Sequence, residues 1–139
     1  MNKVIERPHL IFLVLAPVVL ISGLINKGNT FTINIHDTYL VSDIWSVSLY
    51  STVFFFMIAL NYYTIVQFAK KKPFPKLTSL HIAFQIIALI PFLYTFYASE
   101  SYGDTAQKEL FLVLAFLLFL LATLIHFINF IASLLRKKE

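Results

Sequence analysis

The chain contains no cysteine among its 139 residues. That excludes disulfides, thiolate metal sites, a CxxC redox centre and a lipid-modified cysteine, and it leaves the compartment open. Charge is scarce too: Asp, Glu, Lys and Arg make up 13% of the chain, against roughly a quarter in a soluble domain whose surface must face water. With only three glycines and five prolines and no low-complexity tract, neither a disordered chain nor a flexible linker is expected. Also missing are a serine nucleophile elbow, a phosphate-binding loop, an HExxH zinc motif and a carboxylate pair, so no common catalytic constellation is in view.

What is abundant is apolar. Hydrophobic residues account for 59% of the sequence and gather into four uncharged runs, at about residues 9–25, 44–69, 77–99 and 110–135. A helix needs about 20 residues to cross a hydrocarbon core of about 30 Å, so each run is long enough and the first only just. All eighteen charged residues (eleven basic, seven acidic) fall at the chain ends or in the connections, as the cost of a charge at membrane depth requires. The net charge of +4 arises from short basic clusters between apolar runs, a membrane pattern and not a nucleic-acid footprint. Lys3 and Arg7 before a short apolar run have the outline of a signal peptide. No A-x-A-like cleavage site follows, however, and an uncleaved first helix is expected. Pro8 suits a first helical turn, and Pro17 and Pro91 lie mid-span, where kinks are expected.

Basic residues set the orientation. Lys3, Arg7, Lys70, Lys71, Lys72, Lys76, Arg136, Lys137 and Lys138 share one side; Lys27 and Lys108 lie on the other with Asp37, Asp43, Glu100, Asp104 and Glu109. The richer side is expected in the cytoplasm with both termini. Trp45, Tyr50, Tyr62 and Tyr63 suit interfacial anchors, and the run Lys70 to Lys76 suits a topology determinant with some attraction for anionic lipid. In the first external connection, Thr30 to Ile35 alternates apolar and polar residues, the period of an extended segment. Asp37, Thr38 or Ser42 is placed to cap the second helix, and residues 100–109 read as a polar loop.

The stretch Ile35-His36-Asp37-Thr38-Tyr39-Leu40-Val41 resembles a signature of subunit I of the haem–copper oxidases. There a His-Asp-Thr-Tyr segment on the external side leads into a helix bearing two haem-ligand histidines. The helix order and orientation expected here match the last four helices of that subunit, so the resemblance would cover nearly the whole chain. The family's haem histidines correspond to Ile44 and Ser46, neither a plausible iron ligand, and the helices carrying the copper ligands have no counterpart. Oxygen reduction by the family mechanism is therefore not expected. The resemblance also implies that His36 and Asp37 match two positions of a magnesium site completed by another subunit. A divalent ion there would need a third ligand from Glu100, Asp104, Glu109 or a partner chain, and the plainer expectation is a hydrogen-bonded corner. The family's helices form three arcs about an approximate threefold axis, which suggests a homotrimer of this chain with its polar residues near subunit interfaces.

The remaining polar residues fall on three stripes. Asn61, Thr64 and Gln67 share one in the second helix; His81 and Gln85 are a turn apart in the third; His126, Asn129 and Ser133 cluster in the fourth. Interhelical hydrogen bonding is the expected role; ligation of a haem iron or a proton path through His81 and His126 is the alternative. The expectation from sequence is thus an all-α, four-helix transmembrane bundle, a single domain over 1–139 in the plasma (inner) membrane. Its expected role is non-catalytic, as an accessory or assembly-forming subunit without cofactor, in a homo-oligomer or a larger membrane complex. The rivals are a haem- or metal-binding redox protein and a small-molecule transporter, the latter disfavoured by the missing membrane acid.

Overall fold

The computed structural model describes residues 6–35, 38–97 and 105–136. Helix α1 (His9–Ile25) is followed by a hairpin of β1 (Thr30–Ile35) and β2 (Thr38–Asp43). Helix α2 (Ile44–Tyr63) continues into a π-helical turn, Thr64–Phe68, and α3 (Pro75–Tyr97) and α4 (Thr105–Leu135) complete the order. Three segments, Ile44–Phe68, Pro75–Tyr97 and Glu109–Leu135, are long and apolar enough to cross a membrane; α1 is a shorter apolar helix of 17 residues, about 26 Å at 1.5 Å per residue.

Most of the large apolar side chains on these helices are exposed, among them Val14, Ile21, Met57, Ile90, Phe116, Leu124 and Ile131. Soluble monomers rarely expose continuous apolar surface on this scale, and hydrocarbon is its natural solvent. Helix α1 packs along α2, and α3 along α4. The apolar core joins Phe12, Ala16 and Val19 of α1 to Phe55, Ile58, Ala59, Tyr62 and Ile65 on the α2 face, with Leu89 from α3. Van der Waals packing must supply much of this association, since lipid competes equally for apolar surface. One contact is especially close. A Cβ on Gly23 would lie 2.3 Å from both Cβ and Oγ of Ser48, so only glycine lets α1 approach α2 at that level.

The hairpin adds a small extended element to the helical fold. Its antiparallel register runs from Thr30 opposite Asp43 to Ile35 opposite Thr38, and its base is tied by the Ile44 N–H donating to the Asn29 carbonyl at 3.1 Å. Gly28, at φ +96°, makes the turn out of α1, a conformation that costs glycine little. The alternation expected for Thr30 to Ile35 therefore forms a strand. Thr38 and Ser42, expected as caps, belong instead to the returning strand, and Asp37 lies outside the described residues. The cap is Asp43, whose carboxylate accepts from the Ser46 N–H and Oγ, each at 2.9 Å. These bonds, the backbone one foremost, hold its carboxyl below the ordinary carboxylate range.

Helix α2 ends in a widened turn: the Ala69 N–H donates to the Thr64 carbonyl and the Lys71 N–H to the Ile65 carbonyl. Lys70 takes φ 52°, a left-handed conformation that stops the helix. Pro75 opens α3, where its missing N–H leaves nothing unpaired. Helix α4 begins at Thr105, inside the stretch expected to be a loop. At its other end the Lys71 ammonium donates to the Leu134 carbonyl, and the Arg136 guanidinium lies 5.5 Å from the Phe74 ring centroid. Cations at a helix C-terminus satisfy its free carbonyls and its dipole.

Candidate functional site

Where the second halves of α2 and α4 meet the first half of α3, the helices enclose a polar cluster. Tyr62, Thr78, His81, Asn129 and Ser133 have no exposed surface, and Gln85 and His126 have 1% and 2%. So complete a burial of polar groups is stable only if they bond to one another.

Asn129 is the hub. Its Oδ1 accepts from the Phe74 N–H at 3.1 Å and from Ser133 Oγ at 3.3 Å. Its Nδ2 donates to Thr78 Oγ1 at 2.9 Å and to the Tyr62 hydroxyl at 3.4 Å. Two lone pairs and two protons are all that a carboxamide offers. Asn129 is saturated. The Tyr62 hydroxyl lies 2.9 Å from His81 Nδ1; as donor there it completes a chain from Asn129 and puts the imidazole proton on Nε2. Asn61 Nδ2 meets His126 Nε2 at 3.3 Å, and with Asn61 donating, the proton of that ring sits on Nδ1.

Ring contacts close the cluster. The centroids of His81 and His126 are 4.9 Å apart, those of Tyr62 and His126 4.8 Å, and Phe12 of α1 stacks on His81 at 5.0 Å. All four helices thus contribute. Three buried polar atoms here have no hydrogen-bond partner among the described residues: His81 Nε2, His126 Nδ1 and Gln85 Oε1.

The expected stripe of Asn61, Thr64 and Gln67 is split. The buried face of this helix runs through Phe55, Ile58, Ala59, Tyr62 and Ile65, one position away from that stripe. Asn61 at its edge still reaches α4. Thr64 turns its hydroxyl back to the Leu60 carbonyl of its own helix, and Gln67 is exposed. The structure does bring together His81, Gln85, His126, Asn129 and Ser133, all inside one chain and not at a surface open to a neighbouring copy. Tyr62, expected as an interfacial anchor, is instead the centre of the cluster, and Thr78 was not singled out. The signal for Tyr62 was its place on the apolar stripe; its neighbour Tyr63 is exposed.

His36 and Asp37, the candidate metal ligands, lie outside the described residues. Ser46, at one of the positions matching a haem histidine, is engaged in capping α2, and Ile44, at the other, is buried. Among the described residues no group of three or more His, Cys, Asp or Glu is placed to share a metal ion. Comparisons with protein-family models, curated proteins and solved structures find no match.

Proposed function

We propose that the chain is a non-catalytic, multi-pass membrane subunit that forms or supports an assembly, and that its polar cluster locks α2, α3 and α4 together, with α1 held against it through the stacking of Phe12 on His81. The observation that carries this reading is the saturation of Asn129. Its four hydrogen bonds tie α2, α3, α4 and the connection at Phe74 to one point. The cluster is built of amides, hydroxyls and imidazoles, with no carboxylate or ammonium among its members. Such groups fix helix positions; a proton-coupled transporter would place an acid at this depth.

In this reading α1 crosses the bilayer with the other three helices as a bundle. Both termini face the cytoplasm, the hairpin lies on the external side of the plasma membrane, and the chain is a degenerate counterpart of the last four helices of oxidase subunit I. Because the cluster is internal, assembly draws on other surfaces: Gln67, the apolar flanks of α4, and the β2 strand with exposed Tyr39, Leu40 and Val41. The test is native mass spectrometry of the protein purified in mild detergent. A homo-oligomer, with a trimer as the form the resemblance suggests, or a fixed complex with another membrane protein is expected; a monomer at every concentration, without a partner, overturns the reading.

The unpartnered nitrogens of His81 and His126 favour a second reading, a metal or haem iron held by the two imidazoles. Against a zinc or copper ion stands their number, since such sites draw on three or four protein ligands; against haem stands their spacing, because ring centroids 4.9 Å apart leave no room for a porphyrin between them.

A further inference from the structure

The start of α1 meets the end of α2, where the rings of His9 and Tyr63 lie 5.6 Å apart. The end of α4 joins them, since Lys71 bonds the Leu134 carbonyl and Arg136 lies over Phe74, just before α3. Among the described residues this end of the fold carries Arg7, Lys70, Lys71, Lys72, Lys76 and Arg136 against a single acid, Glu6. Lys70, Lys72 and Lys76 are exposed, and among the described residues no hydrogen bond or ion pair engages their ammonium groups. A shallow groove of about 460 Å³ runs along α3 from this end, lined by Pro75, Lys76, Ser79, Leu80 and Ala83. It lies on the face turned away from the buried stripe of Thr78, His81, Gln85 and Ala88, and that face continues through exposed Ile87 and Ile90. From Ser79 to Ile90 it descends about 16 Å at 1.5 Å per residue, close to half of a hydrocarbon core of about 30 Å.

The groove thus changes character with depth, from an ammonium and a hydroxyl at its mouth to aliphatic side chains one leaflet down. A free phosphate matches only the mouth, and an uncharged acyl chain only the lower part. What matches both is a lipid with a negative headgroup, and each cation near a membrane surface adds about fivefold to the binding of anionic lipid. We propose that this groove binds one anionic phospholipid, its phosphate held by Lys76 and Ser79 and an acyl chain lying along Leu80, Ala83 and Ile87. Lys70 and Lys72, in the connection before α3, add to the attraction. The proposal rests on the chain sitting in a membrane and is independent of the assembly reading.

The probe is a matched pair, dioleoylphosphatidylglycerol and dioleoylphosphatidylcholine, which share their chains and differ in headgroup charge. Each is titrated into the full-length protein in mild detergent, and bound lipid is counted by native mass spectrometry. One phosphatidylglycerol should be retained saturably, at least about fivefold more tightly than phosphatidylcholine. Lys76→Gln should weaken that binding about fivefold, whereas Arg7→Gln, the same charge change on another helix, should alter it less than about twofold. Ala83→Phe should fill the groove and abolish the preference. All three side chains are exposed, so the variants should fold. Equal retention of the two lipids would overturn the proposal and leave the membrane reading standing. Equal losses in Lys76→Gln and Arg7→Gln, which mark diffuse attraction, would also overturn it, as would glycerol 3-phosphate binding as tightly as the lipid. So would cross-linking of Ala83→Cys between two copies, which would show the groove filled by a second chain.

Discussion

Replacing Asn129 by leucine keeps the branched shape and heavy-atom count of the side chain, though two methyls are bulkier than a carboxamide, and removes every hydrogen bond it makes. Three of those bonds leave α4, to Phe74, Thr78 and Tyr62, and one returns to Ser133 within the helix. Interhelical hydrogen bonds in membrane proteins contribute about 0.6 kcal/mol on average and at most about 1.7. That places the direct loss near 2 kcal/mol. Thr78 and Tyr62 have no exposed surface, so their hydroxyls would also forfeit a partner with no solvent to replace it, and the whole cost should reach about 2–4 kcal/mol. Reversible unfolding in mixed detergent micelles, or steric trapping in a bilayer, measures it. Thr64→Val is the control: that hydroxyl bonds only to its own helix, and the change should stay within about 0.5 kcal/mol. If Asn129→Leu proves as mild as Thr64→Val, the cluster does not hold the helices and the reasoning fails.

Two further outcomes follow from the fold, and a third from the proposed orientation. Gly23→Ala should destabilise by about 1–3 kcal/mol through overpacking against Ser48, and Ser48→Gly in the same chain should recover most of that loss; an unchanged stability in the single variant would show that α1 and α2 are not so close. Asp43 has a depressed folded-state pKa, so its cap contributes fully above the ordinary carboxylate range and is lost as pH falls through the folded value. The stability gap between wild type and Asp43→Ala should therefore be flat near neutrality and shrink in acid; a gap that widens in acid would contradict the capping geometry. In intact cells Lys71 should resist an impermeant amine reagent, whereas a cysteine at Asn34 should react with an impermeant thiol reagent, and the reverse labelling would invert the topology.

The apolar runs were legible because they are bounded by charge. The run at 9–25 is α1 residue for residue, and that starting at 44 begins where α2 begins. Ends marked by weaker signals moved: α3 starts at Pro75, where proline opens a helix more readily than Leu77 two residues on, and α4 extends back into the polar stretch at Thr105. The alternation of Thr30 to Ile35 pointed to an extended segment. Its partner, Thr38 to Asp43, went unseen because Tyr39, Leu40 and Val41 are contiguous apolar residues without alternation. In the cluster, His81, Gln85, His126, Asn129 and Ser133 stood out as polar residues in apolar runs. Tyr62 did not, since a tyrosine near a membrane boundary reads as an anchor by type, and only its neighbours across the helix interface reveal its role. Thr64 and Gln67 were misplaced for a related reason. A polar stripe can mark either the buried face or its solvated edge, and here the apolar stripe beside it decides which residues turn inward.

We propose that the imidazoles of His81 and His126 serve as hydrogen-bonding parts of a structural core, and neither as ligands nor as redox partners. The absorbance spectrum of the purified protein, taken with its thermal unfolding in the presence of a chelator and of added zinc or copper, tests it most directly. The purified protein should show no Soret band and an unfolding temperature indifferent to chelator and to metal. A near-stoichiometric Soret band, or metal-dependent stabilisation, that disappears in His81→Ala or His126→Ala would contradict it.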